Sequence, residues 1–167
     1  RVLNVDANEL EELPRACNLP GLTALSVRGN RIRSLPRWII DMTSLERLLL
    51  DKNELRSVPC EVGGMEQLYE LGLEGNPFEM PMRRLLKEGA DYVRAYLALF
   101  QTAQEEGLLD LCSMGLQSLP LEADLAPVGT CLLGGNALRE APTALKAASQ
   151  LVSLDLSNNQ MERVDGA

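Results

Sequence analysis

Apolar and polar positions along the chain follow neither strict alternation nor one face of a helix. The stretch LERLLLDKNELRSVP (45–59) packs Leu45, Leu48 and Leu50 closely, breaks at a lone Asn53, resumes at Leu55 and Val58 and closes on Pro59. The same order returns at 22–36 (LTALSVRGNRIRSLP), 68–81 (LYELGLEGNPFEMP) and 151–164 (LVSLDLSNNQMERV). Looser copies lie at 3–14, 109–120 and 128–142. Six copies carry the Asn, at Asn8, Asn30, Asn53, Asn76, Asn136 and Asn159, while the copy at 109–120 carries Met114 instead. Successive Asn residues stand 22, 23, 23, then 60, and again 23 residues apart, the 60 being two repeats plus an insertion of about 15.

Within one copy the spacing predicts a short strand, 48–50, with Leu48 and Leu50 on one face and Leu49 on the other. Leu45, Leu55 and Val58 turn back into the same interior. A single copy cannot bury that face, so stability must come from stacked neighbours. The strands are then parallel, joined by right-handed crossovers. The Asn leaves the strand pointing inward, and a buried amide must be hydrogen-bonded. Its expected partners are backbone groups of its own turn and of the next repeat, which makes the six Asn residues a structural ladder. The Leu-Pro and Val-Pro steps (13–14, 35–36, 58–59, 119–120) hold the opposite side in extended or short helical segments.

After the fourth copy, residues 81–106 change period. Leu86, Ala90, Val93, Leu97 and Phe100 recur at helical steps, with Gly89 able to end a first helix and Asp91 to cap a second. This helix covers hydrophobic core, or else docks a partner. It either closes a first array or interrupts a continuous one, with strand 109–111 beside strand 71–73; the continuous arrangement is preferred. The domain reading is repeats one to four over 1–80, a helical insertion or cap over 81–105, and repeats five to seven over 106–167, in an array truncated at both ends.

These repeats resemble those of leucine-rich repeat proteins, and the resemblance implies an α/β solenoid, a curved horseshoe with a parallel β-sheet on its concave face. The 22–23-residue LPxx-type repeat resembles the intracellular Ras-group family. GNPFEMPMRRLLKEGADYVRAYL (75–97) is similar to the Asn-Pro, Arg-Arg, Gly and Tyr-Leu pattern that follows an array in one member of that family. LLDLCSMGLQSLP (108–120) resembles the resumption of repeats there. The resemblance implies a non-enzymatic interaction module. Met114, Gly134, Gly135 and Ala141 depart from the consensus, which leaves the tightness of repeats five and six open.

Composition narrows the function. The chain holds no His, which removes the commonest general base and metal ligand. Glycines in GLEGNP and LLGGNALRE fall inside repeat turns rather than in a phosphate-binding loop. No catalytic residue, metal or other cofactor, or small-molecule substrate is expected. Residues 1–105 carry 13 basic and 16 acidic side chains, leaving −3, and residues 106–167 carry 3 and 8, leaving −5. A net charge of −8 without a basic patch argues against nucleic acid. No apolar run is long enough for membrane insertion. Cys17, Cys60, Cys112 and Cys131 lack metal or disulfide-cap spacing, and Cys131 replaces a core Leu, so the expected setting is cytoplasmic and reducing.

The candidate site is the concave sheet surface. Outward positions of the middle repeats gather Arg28, Arg47, Leu49, Asp51, Glu70 and Glu74, with Tyr69 at the edge. Arg and aromatic anchors around an exposed Leu suit a protein partner. The expected function is therefore a scaffold binding a protein through the concave face, as a signalling adaptor. The alternatives are a structural subunit of a cytoskeletal or ciliary assembly, or the sensor arm of a larger enzyme.

Overall fold

The computed structural model describes residues 1–78, 80–120 and 123–162; the end of the seventh copy, 163–167, lies outside the described residues. Seven three-residue strands follow one another: β1 (Val2–Asn4), β2 (Ala24–Ser26), β3 (Arg47–Leu49), β4 (Glu70–Gly72), β5 (Leu108–Asp110), β6 (Thr130–Leu132) and β7 (Ser153–Asp155). Each begins one residue earlier than the apolar pattern suggests, because ladder bonds at Arg47 and Leu49 count it as strand while Leu50 already turns. Parity is as expected: Leu48 and Leu50 are fully buried and Leu49 is half-buried on the outer face. On the opposite side, 3₁₀ turns at Arg15–Cys17, Arg37–Asp41, Cys60–Gly64 and Thr143–Ala147 each start directly after a proline. The proline itself is extended, with ψ between 130° and 146°, and its carbonyl accepts the N–H three residues on that closes the turn.

The sheet is not continuous. Strands β1 to β4 form one parallel sheet and β5 to β7 another, so the expected pairing of 109–111 with 71–73 does not occur. Helices α1 (Met82–Glu88) and α2 (Ala90–Glu106) stand between them, and α2 packs on the Cys60–Gly64 turn and on β5. Val93, Leu97 and Phe100 are buried on the predicted face, joined by Tyr96 and Ala103. Tyr96 meets Phe100 edge-on with ring centroids 5.3 Å apart. A Cβ on Gly63 would run into the backbone of Leu97 and Ala98, so glycine there sets how closely α2 seats on repeat three. Gly89 separates the helices at φ 120°, and Asp91 lies in the first turn of α2 without forming the expected side-chain cap.

The Asn ladder is present, with one correction to its direction. Asn53 donates from Nδ2 to Leu50 O (3.0 Å) in its own repeat and to Val27 O (3.0 Å) in the preceding one. Its Oδ1 accepts from Ile32 N–H (3.0 Å), also in the preceding repeat. Asn30, Asn76, Asn136 and Asn159 repeat this pattern, always reaching back rather than forward. Asn8, with no earlier repeat among the described residues, is exposed and donates only to Val5 O and Asp6 O of its own turn. Met114 falls at the one copy whose preceding neighbour is a helix instead of a strand; there an Asn would have no strand carbonyl of a preceding repeat to reach, and Met114 packs against the core.

The residue before each ladder position adopts a left-handed turn: Ala7, Gly29, Lys52, Gly75, Ser113, Gly135 and Asn158 all have φ between 53° and 74°. Gly135 is thus the turn glycine, as Gly29 and Gly75 are, and not a sign of looseness. Leu133 and Leu138 around it are fully buried.

Asn53→Ala leaves the buried Ile32 N–H without a partner and takes one of two amide donors each from Val27 O and Leu50 O, and should lower stability by about 2 kcal/mol, whereas Asn8→Ala should lower it by about 0.5 kcal/mol. Chemical denaturation of both variants measures the difference, and equal losses would remove the cross-repeat role. Tyr96 supplies a pH test. Its hydroxyl is buried, has no hydrogen-bond partner among the described residues, and is driven far above the usual phenol range by burial, with Cys60 nearby adding to it. Because the folded chain resists ionising it, stability is retained below the unfolded value of about 10 and falls as pH rises through it. Tyr96→Phe should shift the alkaline unfolding midpoint upward; an unchanged midpoint contradicts this.

Candidate functional site

In-register pairing converts repeats more than 20 residues apart into rows on the outer sheet face. One row runs Val2, Ala24, Arg47, Glu70, and the next Asn4, Ser26, Leu49, Gly72. Just past the strand ends, Asp6, Arg28, Asp51 and Glu74 form a third row around a shallow groove that also includes Lys52. The expected site residues therefore share one face but divide along it. Arg28, Asp51 and Glu74 lie at the C-terminal ends of the strands. Arg47 and Glu70 are adjacent partners at the N-terminal ends, with exposed Tyr69 beside them. Leu49 sits between the two groups, half-buried.

The C-terminal row is tied to the backbone by its carboxylates. Asp6 Oδ1 accepts from the Ser26 hydroxyl (2.6 Å) and from Arg28 N–H (2.7 Å). One repeat on, Asp51 Oδ1 accepts from Glu74 N–H (3.0 Å), and Asp51 Oδ2 takes the Arg28 guanidinium at 2.8 Å. Arg28 is held protonated above its ordinary range, first by that hydrogen bond and further by the charges of Asp51, Asp6 and Glu70. Gly72 makes room for Asp51, since a Cβ there would collide with the Asp51 carboxylate. Asp6, Lys52 and Gly72 were missing from the expected site. Sequence spacing could have supplied Asp6, which is one repeat before Arg28, but nothing in it marks Gly72 as the space that Asp51 fills.

The second sheet continues the rows as Leu108, Thr130, Ser153 and as Asp110, Leu132, Asp155. Asp110 and Asp155 each accept from the N–H two residues on, Cys112 at 3.0 Å and Ser157 at 2.8 Å. Cys112 is exposed, and its thiol is raised above the ordinary value, chiefly by desolvation and then by its hydrogen bond with Asp110. Cys17 and Cys131 are raised by burial, Cys131 to about 11. None of these three thiols is poised as a nucleophile, which requires a depressed pKa. Among the described residues no cluster of His, Cys, Asp or Glu could hold a metal ion, and no helix is long and apolar enough to cross a membrane.

A second concavity of about 440 Å³ opens on the other side, where repeat three, the helical segment and repeats five and six converge. Val58, Met82, Leu97, Leu119 and Pro142 are among its walls.

On these outer rows an exposed ion pair should matter less to stability than the space that Gly72 leaves for Asp51. Arg28→Ala should cost less than about 1 kcal/mol, as exposed ion pairs do. Gly72→Ala should cost more, about 2 kcal/mol, by crowding Asp51. Thermal melts rank the two, and the reverse order contradicts this geometry.

Residues 1–55 and 20–78 match the family model described as leucine rich repeat. A 76-residue stretch is 36% identical to chaoptin of Tribolium castaneum; the match covers 45% of this chain, which spans only 10% of the length of that relative. A solved structure of the Leptospira interrogans LRR protein LIC12759 aligns with 93% of this chain and 36% of its own, at 26% identity and a TM-score of 0.44. Residues 1–78 thus carry the signature of the leucine-rich repeat family, and the fold of the chain is an α/β leucine-rich repeat solenoid.

Proposed function

We propose that this chain is a non-enzymatic scaffold that binds a protein partner through the concave outer face of its sheets. Leucine-rich repeat proteins commonly mediate protein–protein interaction. The observation that carries the reading here is the register: it aligns Arg28, Arg47, Leu49, Asp51, Glu70 and Glu74 from three neighbouring repeats on one face. The two-array organisation, 1–80 and 106–167 joined by the insertion 81–105, supplies two such faces in one chain. The LPxx repeat and the resemblance to Ras-group proteins support an intracellular signalling adaptor as the specific role.

One observation favours a second reading, a structural subunit of a larger assembly. Tyr92, Leu108 and Val152 are exposed large apolar groups of the kind that assembly interfaces cover. The two roles differ in salt response. A charge-steered adaptor releases its partner as ionic strength rises, and an apolar assembly interface does not.

The test is a paired capture from a lysate of the source cells, with this chain and its Arg47→Glu, Glu74→Arg variant as baits. The proposal expects a protein retained by the first and lost, at least ten-fold, by the second. Equal retention moves the site off this face.

A further inference from the structure

The outer face carries more negative charge than its own cations neutralise. Asp6, Asp51, Glu70, Glu74, Asp110 and Asp155 stand on it against Arg28, Arg47 and, at the rim of the groove, Lys52. In the first sheet Arg28 is already paired with Asp51 and lies in the field of Asp6 and Glu70, while Arg47 stands beside Glu70 in register. The strand rows of the second sheet hold no cation at all. There Asp110 and Asp155 flank Leu132 in register, so they stand two strand spacings, about 10 Å, apart. The row beyond them contains Gly134, and a Cβ built on it would lie 3.0 Å from Asp155 Oδ2, so this carboxylate leans over bare backbone. Hydrogen bonds from the Ser157 backbone and hydroxyl hold Asp155 below the usual carboxylate range, so it stays charged. Apolar surface is interleaved with the charge: Leu108 is 42% exposed at the start of the same strand as Asp110, and Leu132 is half-buried between the two carboxylates.

Resting on the concave-face reading above, we infer that the partner presents a basic polypeptide segment, with Arg or Lys side chains alternating with apolar ones, and that the second sheet is where it anchors. A guanidinium laid over Leu132 and Gly134 has an aspartate on either side, and the apolar residues of the segment cover Leu108 and Leu132. Arg suits this position because its planar, weakly hydrated head can cover a leucine while donating sideways to carboxylates. None of the residues expected from sequence to form the site lies in this second sheet, so the inference extends the surface beyond them. An acidic segment meets like charge on both sheets and is excluded by repulsion.

The probe is a short fluorescein-labelled peptide of alternating Arg, Leu and Gly, with a matched peptide carrying Glu for Arg, measured by fluorescence anisotropy against the whole chain. The Arg peptide should bind and the Glu peptide should not. Asp110→Asn with Asp155→Asn keeps both backbone hydrogen bonds yet removes the charges, and should weaken Arg-peptide binding about five- to ten-fold. Glu11→Gln with Glu12→Gln removes the same charge from exposed positions off the face, and should change binding less than about two-fold. Thermal melts establish that both variants are folded. Equal weakening by the two variants, or no preference for the Arg peptide, overturns the inference. If the lysate partner is lost with Arg47→Glu, Glu74→Arg while the Arg peptide fails to bind, the face remains a binding surface and the basic-partner inference alone falls. If the Arg peptide binds as expected but no protein depends on the face, the concave-face reading falls and the charge preference of the second sheet stands.

Discussion

The rest of the structure depends on how each repeat turn satisfies the backbone that stacking buries. Three-residue strands make few ladder bonds, and the chain leaves each strand by a left-handed turn that points carbonyls inward. One Asn amide per repeat meets that demand on both sides of a repeat boundary, accepting from one buried N–H and donating to two carbonyls. Leaving such groups unpaired costs more than making the bonds gains, so the Asn fixes the distance and register of neighbouring repeats. That register, in turn, lines up outward side chains from different repeats. The proposed binding surface is a consequence of the buried amides beneath it.

The helical segment is the exception to that rule. Where α2 replaces a strand as the neighbour of β5, there is no carbonyl row to reach, and the ladder residue becomes Met114. The helix satisfies its own backbone and contributes only side-chain packing, with Gly63 letting it approach repeat three at backbone distance and β5 packed on its other side. It therefore joins two sheets without pairing to either. The chain presents two short faces of different chemistry: the first mixed in charge, the second acidic and without a cation on its strand rows.

Much of this was legible in the sequence. The Asn spacing, the inward Leu positions and the Leu-Pro steps identify the solenoid and place its strands within one residue. The break in the sheet was not legible, because LLDLCSMGLQSLP has the apolar pattern of a repeat whichever element precedes it. Met114 was the available signal, and it reads as a defect until the direction of the Asn bonds is known. Gly134 and Gly135 illustrate the same limit: the second is the ordinary turn glycine, while the first is space beneath Asp155. Within the candidate site, row membership follows from period and parity. Which carboxylate binds which N–H follows from side-chain reach, which period does not encode. Asp6 and Asp51 cross to the next repeat, past Ser26, which donates to the first, and Gly72, which leaves room for the second, whereas Asp155 accepts from its own turn.

The most direct test of the interrupted sheet is amide hydrogen exchange followed residue by residue. Gly29 N–H and Lys52 N–H donate to Asp51 O and Glu74 O in the following repeats, both at ladder distance. Gly75 occupies the same turn position in repeat four, where no strand follows. The account predicts that Gly29 and Lys52 exchange slowly and Gly75 exchanges at close to the rate of an unprotected amide. Protection of Gly75 equal to that of Lys52 would mean that β4 pairs with β5, and that the helix is an excursion from one continuous sheet.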